Sequence, residues 1–152
     1  MSYAIIVVII FLALAPLWHF MPSKRQRREA SMREAAALAG LFVEFRDLPL
    51  APALRARLPA SERQVLYYGC RLPPPRSEAR RQLVWNRIDG DWVSLPPRVS
   101  PPAIAADCPA SVLALGQSED SCGLYWREEG GVDEVRKLAD LLLQWRDLLS
   151  VR

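Results

Sequence analysis

The sequence predicts an α+β protein with an N-terminal transmembrane helix, a basic juxtamembrane helix, and a small, mostly antiparallel sheet carrying a C-terminal helix. Three observations support this fold class: an uncharged apolar run at the start of the chain, a hairpin signal at Asp89-Gly90, and an apolar stripe at helical spacing near the end. We expect a membrane anchor over residues 1–22, a basic juxtamembrane helix over 23–40, and one cytoplasmic domain over 41–152.

The anchor prediction depends on residues 3–21, which contain no charged side chain. Nineteen residues at the helical rise span about 28 Å, close to the hydrocarbon thickness of a bilayer. A cleaved signal peptide and a buried core helix are the alternatives. The first normally begins with basic residues, which this chain lacks before the apolar run, and the second rarely has a continuous β-branched stretch such as Ile5–Ile10 without a polar face.

Residues expected at the membrane interface flank this run. Aromatic and imidazole side chains at either end suit the headgroup region, and a basic cluster follows the run directly. Positive-inside bias then places the N-terminus outside and residues 22–152 in the cytoplasm. The membrane-interface residues are Tyr3, Trp18, His19, Lys24, Arg25, Arg27 and Arg28. Arginine outnumbers lysine, and the residues alanine, leucine and proline are abundant. This composition is typical of a GC-rich bacterial genome, so the predicted location is a bacterial inner membrane.

The distribution of charge argues against nucleic-acid binding. The whole formal net charge of +3 lies in residues 21–40, and residues 41–152 are neutral overall. Membrane topology and anionic lipid account for such a cluster. Within the domain, residues 53–87 are basic and residues 89–152 acidic. The basic stretch, with Arg76, Arg80 and Arg81, could face lipid or an acidic partner, or the two stretches could simply be solvated faces that neutralise each other.

The elements of the domain follow in order. Ser23 and Gly40 can bound a helix over residues 24–39, whose apolar side is mostly alanine with Met32 and Leu38, so we expect a stem rather than a core helix. Strand patterns occur at four places, and residues 96–109 form a proline-rich loop. Residues 111–115 are of uncertain type. The predicted strand segments are residues 41–46, 64–72, the hairpin 82–95, and 123–128.

The C-terminal segment has the clearest helical pattern. Gly130-Gly131 precedes it, and Asp133 and Glu134 suit the positive end of a helix dipole. Its apolar side chains form one stripe at helical spacing. Such a stripe usually packs on a sheet, and the alternative is that it binds a partner protein. The stripe consists of Val135, Leu138, Ala139, Leu142, Trp145 and Leu149.

Residues that commonly carry catalysis are scarce. His19 is the only histidine, so the predicted domain has no histidine for catalysis or metal binding. Cys70, Cys108 and Cys122 form no metal-ligand spacing; Cys70 is expected in the core, and Cys108 could pair with Cys122 only in an oxidising compartment. Glu119-Asp120 and Glu128-Glu129 are expected to be exposed. We therefore predict no catalytic residue, no cofactor and no metal.

Residues 3–40 resemble YajC, the single-span accessory subunit of the bacterial preprotein translocase. In that family a proline and basic residues also follow the span, as Pro22-Ser23-Lys24-Arg25 do here. The resemblance implies an accessory role at an inner-membrane complex. The predicted function is a non-catalytic accessory, scaffold or assembly subunit with a membrane-protein partner. A tethered module that binds anionic lipid or an acidic protein, and an enzyme of unknown reaction, remain as alternatives.

Overall fold

The computed structural model describes residues 2–14, 23–74 and 80–151. The chain divides into two units, Met1–Ala30 and Ser31–Arg152. The first unit contains the helix α1 (Ser2–Leu14) and the beginning of the helix α2 (Lys24–Leu38). The second contains the end of α2 and the whole sheet.

Helix α1 is apolar on every side. Its described side chains, Tyr3 to Phe11, are all exposed, and the apolar ones are between 51% and 85% exposed. The helix has 13 residues, which reach about 20 Å. Across the described parts of the chain, no helix combines the length and the apolar character needed to cross a membrane. The predicted span continues to Met21, and its residues 15–21, with Trp18 and His19, lie outside the described residues.

The helix predicted over residues 24–39 is present as α2. The Ser23 hydroxyl accepts a hydrogen bond from the Gln26 amide at 3.2 Å, and the Gln26 side chain accepts one from the Ser23 amide at 2.8 Å. This reciprocal arrangement is a capping box, which satisfies otherwise unpaired backbone donors at the helix start. Arg25 and Glu29 pair one turn apart at 2.7 Å. Gly40 follows the helix at φ +80°, the left-handed conformation that terminates helices.

A six-stranded antiparallel sheet forms the body of the second unit. The strands are β1 (Phe42–Asp47), β2 (Gln64–Arg71), β3 (Leu83–Ile88), β4 (Asp91–Leu95), β5 (Val112–Gln117) and β6 (Ser121–Trp126). Their spatial order is β1-β2-β6-β5-β3-β4, so the last strand, β6, joins the β1-β2 pair to the other three strands. Asp89 (φ 52°) and Gly90 (φ 93°) make the predicted hairpin turn between β3 and β4.

Helical segments connect and cover the strands. Two short helices, α3 (Pro52–Arg57) and α4 (Ala60–Arg63), connect β1 to β2. A 3₁₀ helix, Ala103–Ala106, interrupts the proline-rich loop, and the long helix α5 (Val132–Ser150) follows β6. The α+β class with an antiparallel sheet and a C-terminal helix is therefore confirmed.

The main core lies between the sheet and α5. All of the predicted α5 stripe except Leu149 is buried, and Leu149 is half-buried against the same core. Met32 and Ala36 are fully buried in this core, so the prediction that α2 avoids the core is wrong for its second half. Alanine gives little hydrophobic signal in sequence, yet it allows close approach of a helix to a sheet. Leu38, predicted on the same apolar side, is 84% exposed.

The other face of the sheet is closed by tyrosines lying on glycines. Gly69, Gly123 and Gly116 are aligned across β2, β6 and β5. A Cβ at Gly123 would lie 2.4 Å from the Tyr67 ring, and one at Gly116 would lie 3.3 Å from the ring of Tyr125. The rings take the space that side chains would fill, so aromatic residues and glycines act as one packed layer.

Candidate functional site: an apolar groove beside the end of α5

A groove of about 690 Å³ runs between the last turns of α5 and the segment that leads into the 3₁₀ helix. Its base is formed by Trp85 and Trp145, whose rings meet edge to face with centroids 6.1 Å apart. Leu148 and Leu149 form one wall, and residues 99–104, with two prolines, form the other. Because α5 covers only part of the sheet, this apolar groove is left along its edge.

Hydrogen bonds between side chains and the backbone attach the loop wall to the sheet. The Trp85 indole N–H donates to the Val99 carbonyl at 3.1 Å, and the Val99 amide donates to the Ser94 hydroxyl at 3.1 Å. The Trp92 indole donates to the Ala105 carbonyl, also at 3.1 Å. Because buried indole donors find fixed carbonyl partners, the proline-rich wall is attached to β3 and β4 at three points.

Arg80 closes one end of the groove. Its guanidinium donates to the carbonyls of Pro73 (2.6 Å), Glu119 (3.1 Å) and Leu149 (3.3 Å). The last contact places a cation at the C-terminus of α5, where the helix dipole is negative. Arg80 therefore joins three chain segments, and its positive charge is directed toward backbone carbonyls.

The dimensions and chemistry of the groove suit a ligand with apolar side chains. Ligand pockets in proteins are commonly about 300–1,000 Å³, mostly apolar, with a few fixed polar groups. Here the lining is tryptophan, leucine, valine and proline, and the polar groups are Arg80, Ser100 and Gln117. Leu148 is 60% exposed although it lies beside the buried Trp145, so an apolar partner placed there would remove it from water.

The predicted basic surface is only partly assembled by the structure. Arg76 lies outside the described residues. Arg80 lines the groove as a structural residue, and Arg81 is exposed with its carbonyl accepting from the Gln117 amide at 3.5 Å. Of the predicted interface residues, Tyr3 lies on α1 and the four basic ones lie in the first turns of α2, all exposed.

One charged cluster that the sequence suggested was exposed is in fact buried. The Glu128 side chain is 7% exposed and accepts from Arg33 Nε at 3.0 Å, Arg33 Nη2 at 2.8 Å and the Tyr68 hydroxyl at 2.7 Å. Burial and this bond to a carboxylate raise the pKa of Tyr68 above its ordinary value. The network attaches the second half of α2 to the sheet, which is a structural role.

Groups suited to metal binding do not come together in the part of the chain that the structure describes: no three His, Cys, Asp or Glu residues lie close enough to hold a metal ion. Cys70, Cys108 and Cys122 are all free thiols, and Cys122 lies beside Cys70, with the two sulfurs 3.4 Å apart. Cys70 is in the core, as predicted, and burial raises the pKa of Cys108 to about 11.

Comparison of the chain with protein-family models, with curated proteins and with solved structures finds no match. The resemblance of residues 3–40 to the translocase accessory subunit stays a prediction from sequence.

Sequence reasoning missed the groove itself. The separate parts of the groove are visible in the chain, namely Trp85, the α5 stripe and the prolines of residues 96–109. Their convergence depends on β3 lying next to β5 and not beside β2, which no local pattern encodes. The one available signal was Leu148, an apolar residue at the edge of the α5 stripe.

Proposed function

We propose that this chain is a non-catalytic accessory or scaffold subunit of a bacterial inner-membrane protein complex. Its N-terminal apolar segment holds it in the membrane, and its domain binds an apolar segment of a membrane-protein partner in the groove beside α5. The groove carries this proposal, because the exposed Leu148 lies there beside a base of two packed tryptophan rings.

The lining favours a protein segment over a charged substrate. Arg80 directs its guanidinium to three carbonyls, so it is poorly placed to neutralise an anion. The domain is electrically neutral overall, which gives no general attraction for a highly charged partner. An extended or helical segment with apolar side chains matches tryptophan, leucine and proline surfaces, and its own backbone can bond to Gln117 and Ser100.

The tether is supported by the exposure of α1. A helix whose isoleucines, valines and phenylalanine all face outward is unfavourable in water, and a bilayer would cover all sides at once. The basic start of α2 then favours an orientation with the domain in the cytoplasm.

Site-specific photocrosslinking in native membranes tests the partner proposal. A photoreactive residue at Leu148 is expected to give one discrete adduct whose partner also copurifies in a fixed ratio in mild detergent. Val93, an exposed apolar residue on the opposite face of the sheet, is the matched control. Equal adducts from both positions, or a chain that purifies without a stoichiometric partner, would overturn the proposal.

Membrane attachment is tested separately. The full chain is expected to stay with membranes during alkaline carbonate extraction, and Ile6→Asp with Ile9→Asp is expected to release it. Ile6→Leu with Ile9→Leu keeps the apolar surface and serves as control. Asp133, 91% exposed, offers a site for an added cysteine (D133C), which should react with a membrane-impermeant thiol reagent only from the cytoplasmic side.

A second candidate is a tethered module that binds anionic lipid or an acidic protein. The exposed Arg55, Arg57 and Arg81 within the basic stretch favour it. Binding of residues 31–152 to vesicles of anionic lipid that falls with salt, and falls again in Arg81→Ala, would support this candidate over the groove.

A further inference from the structure

Two cysteines face each other across the centre of the sheet. Cys70 on β2 and Cys122 on β6 are direct register partners, and both side chains point toward α5. They are 1% and 0% exposed. Their sulfurs lie 3.4 Å apart, and the Cys70 sulfur also lies 3.5 Å from the Leu142 carbonyl of α5.

This placement is compatible with a disulfide bond. Directly opposed residues in an antiparallel pair have Cα atoms about 4.5–5.5 Å apart, which falls within the range of about 4.4–6.8 Å seen in disulfides. The two sulfurs have to approach by little more than an ångström to reach the bond length of about 2.05 Å. Rotation of the two side chains supplies such a movement without shifting the strands.

The pair also distributes its protons unequally. Hydrogen bonding between the thiols lowers the pKa of Cys70 and raises that of Cys122. The positive charge of Arg146 on α5 favours the thiolate at both sulfurs. The 3.4 Å contact lets one thiol donate to the other, which stabilises a thiolate at the accepting sulfur.

We propose that Cys70 and Cys122 form a buried redox-active dithiol that hydrogen peroxide converts into a cross-strand disulfide. The thiolate of one cysteine attacks one peroxide oxygen, the O–O bond breaks, and the departing hydroxide takes a proton to leave as water. The resulting sulfenic acid is attacked by the sulfur of the other cysteine, and the displaced hydroxide leaves as a second water with the proton of that thiol. Two thiols lose two electrons, and one peroxide is reduced to two waters.

Packing favours a small oxidant. Leu142 and the rest of α5 cover the pair, so the sulfurs are reached only when the helix moves aside, and peroxide needs a smaller opening than a bulky disulfide does. The bond would join β2 to β6, the strands that bring the first half of the sheet to the second. Closing the pair therefore fixes the centre of the sheet beneath the helix.

The test uses the full chain in mild detergent, treated with peroxide, quenched with catalase, denatured and alkylated with a maleimide. Mass spectrometry is expected to show the adducts falling from three to one, with the remaining adduct on Cys108 and full recovery after dithiothreitol. The oxidised protein should unfold at a midpoint roughly 10 °C higher, because the bond closes a long loop.

Three variants keep the outcome interpretable. Cys108→Ala should retain the reversible loss of two adducts, whereas Cys70→Ala and Cys122→Ala should each retain both of their remaining thiols or trap a sulfenic acid that reacts with dimedone. Three adducts that persist after peroxide would overturn the proposal. So would loss of alkylation that dithiothreitol does not reverse, or equal loss at Cys108.

Discussion

Replacing Glu128 with glutamine is the sharpest test of how α2 is attached to the domain. Glu128 is 7% exposed and accepts three hydrogen bonds, two of them from the Arg33 guanidinium. Glutamine keeps the shape and removes the charge. Its amide nitrogen is a donor, and the Arg33 guanidinium contacts both carboxylate oxygens, so in either orientation the amide faces a guanidinium N–H with no acceptor between them.

The size of the effect follows from these contacts. Hydrogen bonds to a charged group are worth about 1.5–3 kcal/mol and neutral ones about 0.5–1.5 kcal/mol, so the lost Arg33 bond costs about 2 kcal/mol. The two remaining bonds, from Tyr68 and from the other Arg33 nitrogen, weaken because their acceptor loses its charge, and together they cost about 1 kcal/mol more, while Arg33 at 38% exposure regains some water. We expect Glu128→Gln to lower the free energy of unfolding by about 3 kcal/mol, and the melting midpoint by roughly 12 °C.

Thermal and urea unfolding, followed by circular dichroism, measure this change. Glu129→Gln is the matched control, because Glu129 is the exposed neighbour of the same type. A double-mutant cycle with Arg33→Gln should show coupling above about 1 kcal/mol, since the two side chains share one contact. Equal midpoints for the two glutamine variants, or purely additive losses in the cycle, would refute the reasoning.

The remaining predictions concern packing, pH and the groove. Gly123→Ala should cost about 3 kcal/mol or more in urea unfolding, because its Cβ would lie 2.4 Å from both the Tyr67 ring and the Tyr68 carbonyl; Gly131→Ala, which meets nothing within 4 Å, should cost little. Stability should fall as pH rises above about 9, because the unfolded chain releases protons from Cys108 and Tyr67 that the folded state, with raised pKa values, retains; an unchanged urea midpoint between about pH 8 and about pH 10.5 would contradict this. Leu148→Arg should leave the melting midpoint unchanged within about 2 °C, given the 60% exposure of Leu148, while abolishing copurification of the stoichiometric partner.

Local patterns in the sequence predict the elements that form locally. Helix α5 carries its apolar stripe at helical spacing, and the Asp89-Gly90 pair tolerates the positive φ values that the β3–β4 turn requires. The Ser23 hydroxyl caps α2 by accepting a hydrogen bond from the backbone amide three residues later. Each of these depends on neighbours within a few residues. The predicted and observed bounds therefore differ by only a residue or two.

Features that depend on distant residues were not predictable in this way. Strand β5 was too short and too uniformly apolar to classify, and its identity comes from pairing with β3 and β6. Met32 and Ala36 enter the core because a sheet lies beneath α2, and Glu128 is buried because Arg33, 95 residues earlier, meets it. Cys70 and Cys122 are 52 residues apart, and only the β2–β6 register makes them partners.

The two faces of the sheet explain why a binding site would form on one side only. On one face, Tyr67 and Tyr125 lie directly on aligned glycines, which leaves no depth for a ligand. On the other face, α5 and the second half of α2 cover part of the sheet, and the short 3₁₀ segment Ala103–Ala106 lies against the same core beside α5. The groove is the gap between these unequal covers. Because burying a leucine side chain is worth about 1.5–3 kcal/mol, a partner segment that covers Leu148 gains affinity where the fold itself has left apolar surface uncovered.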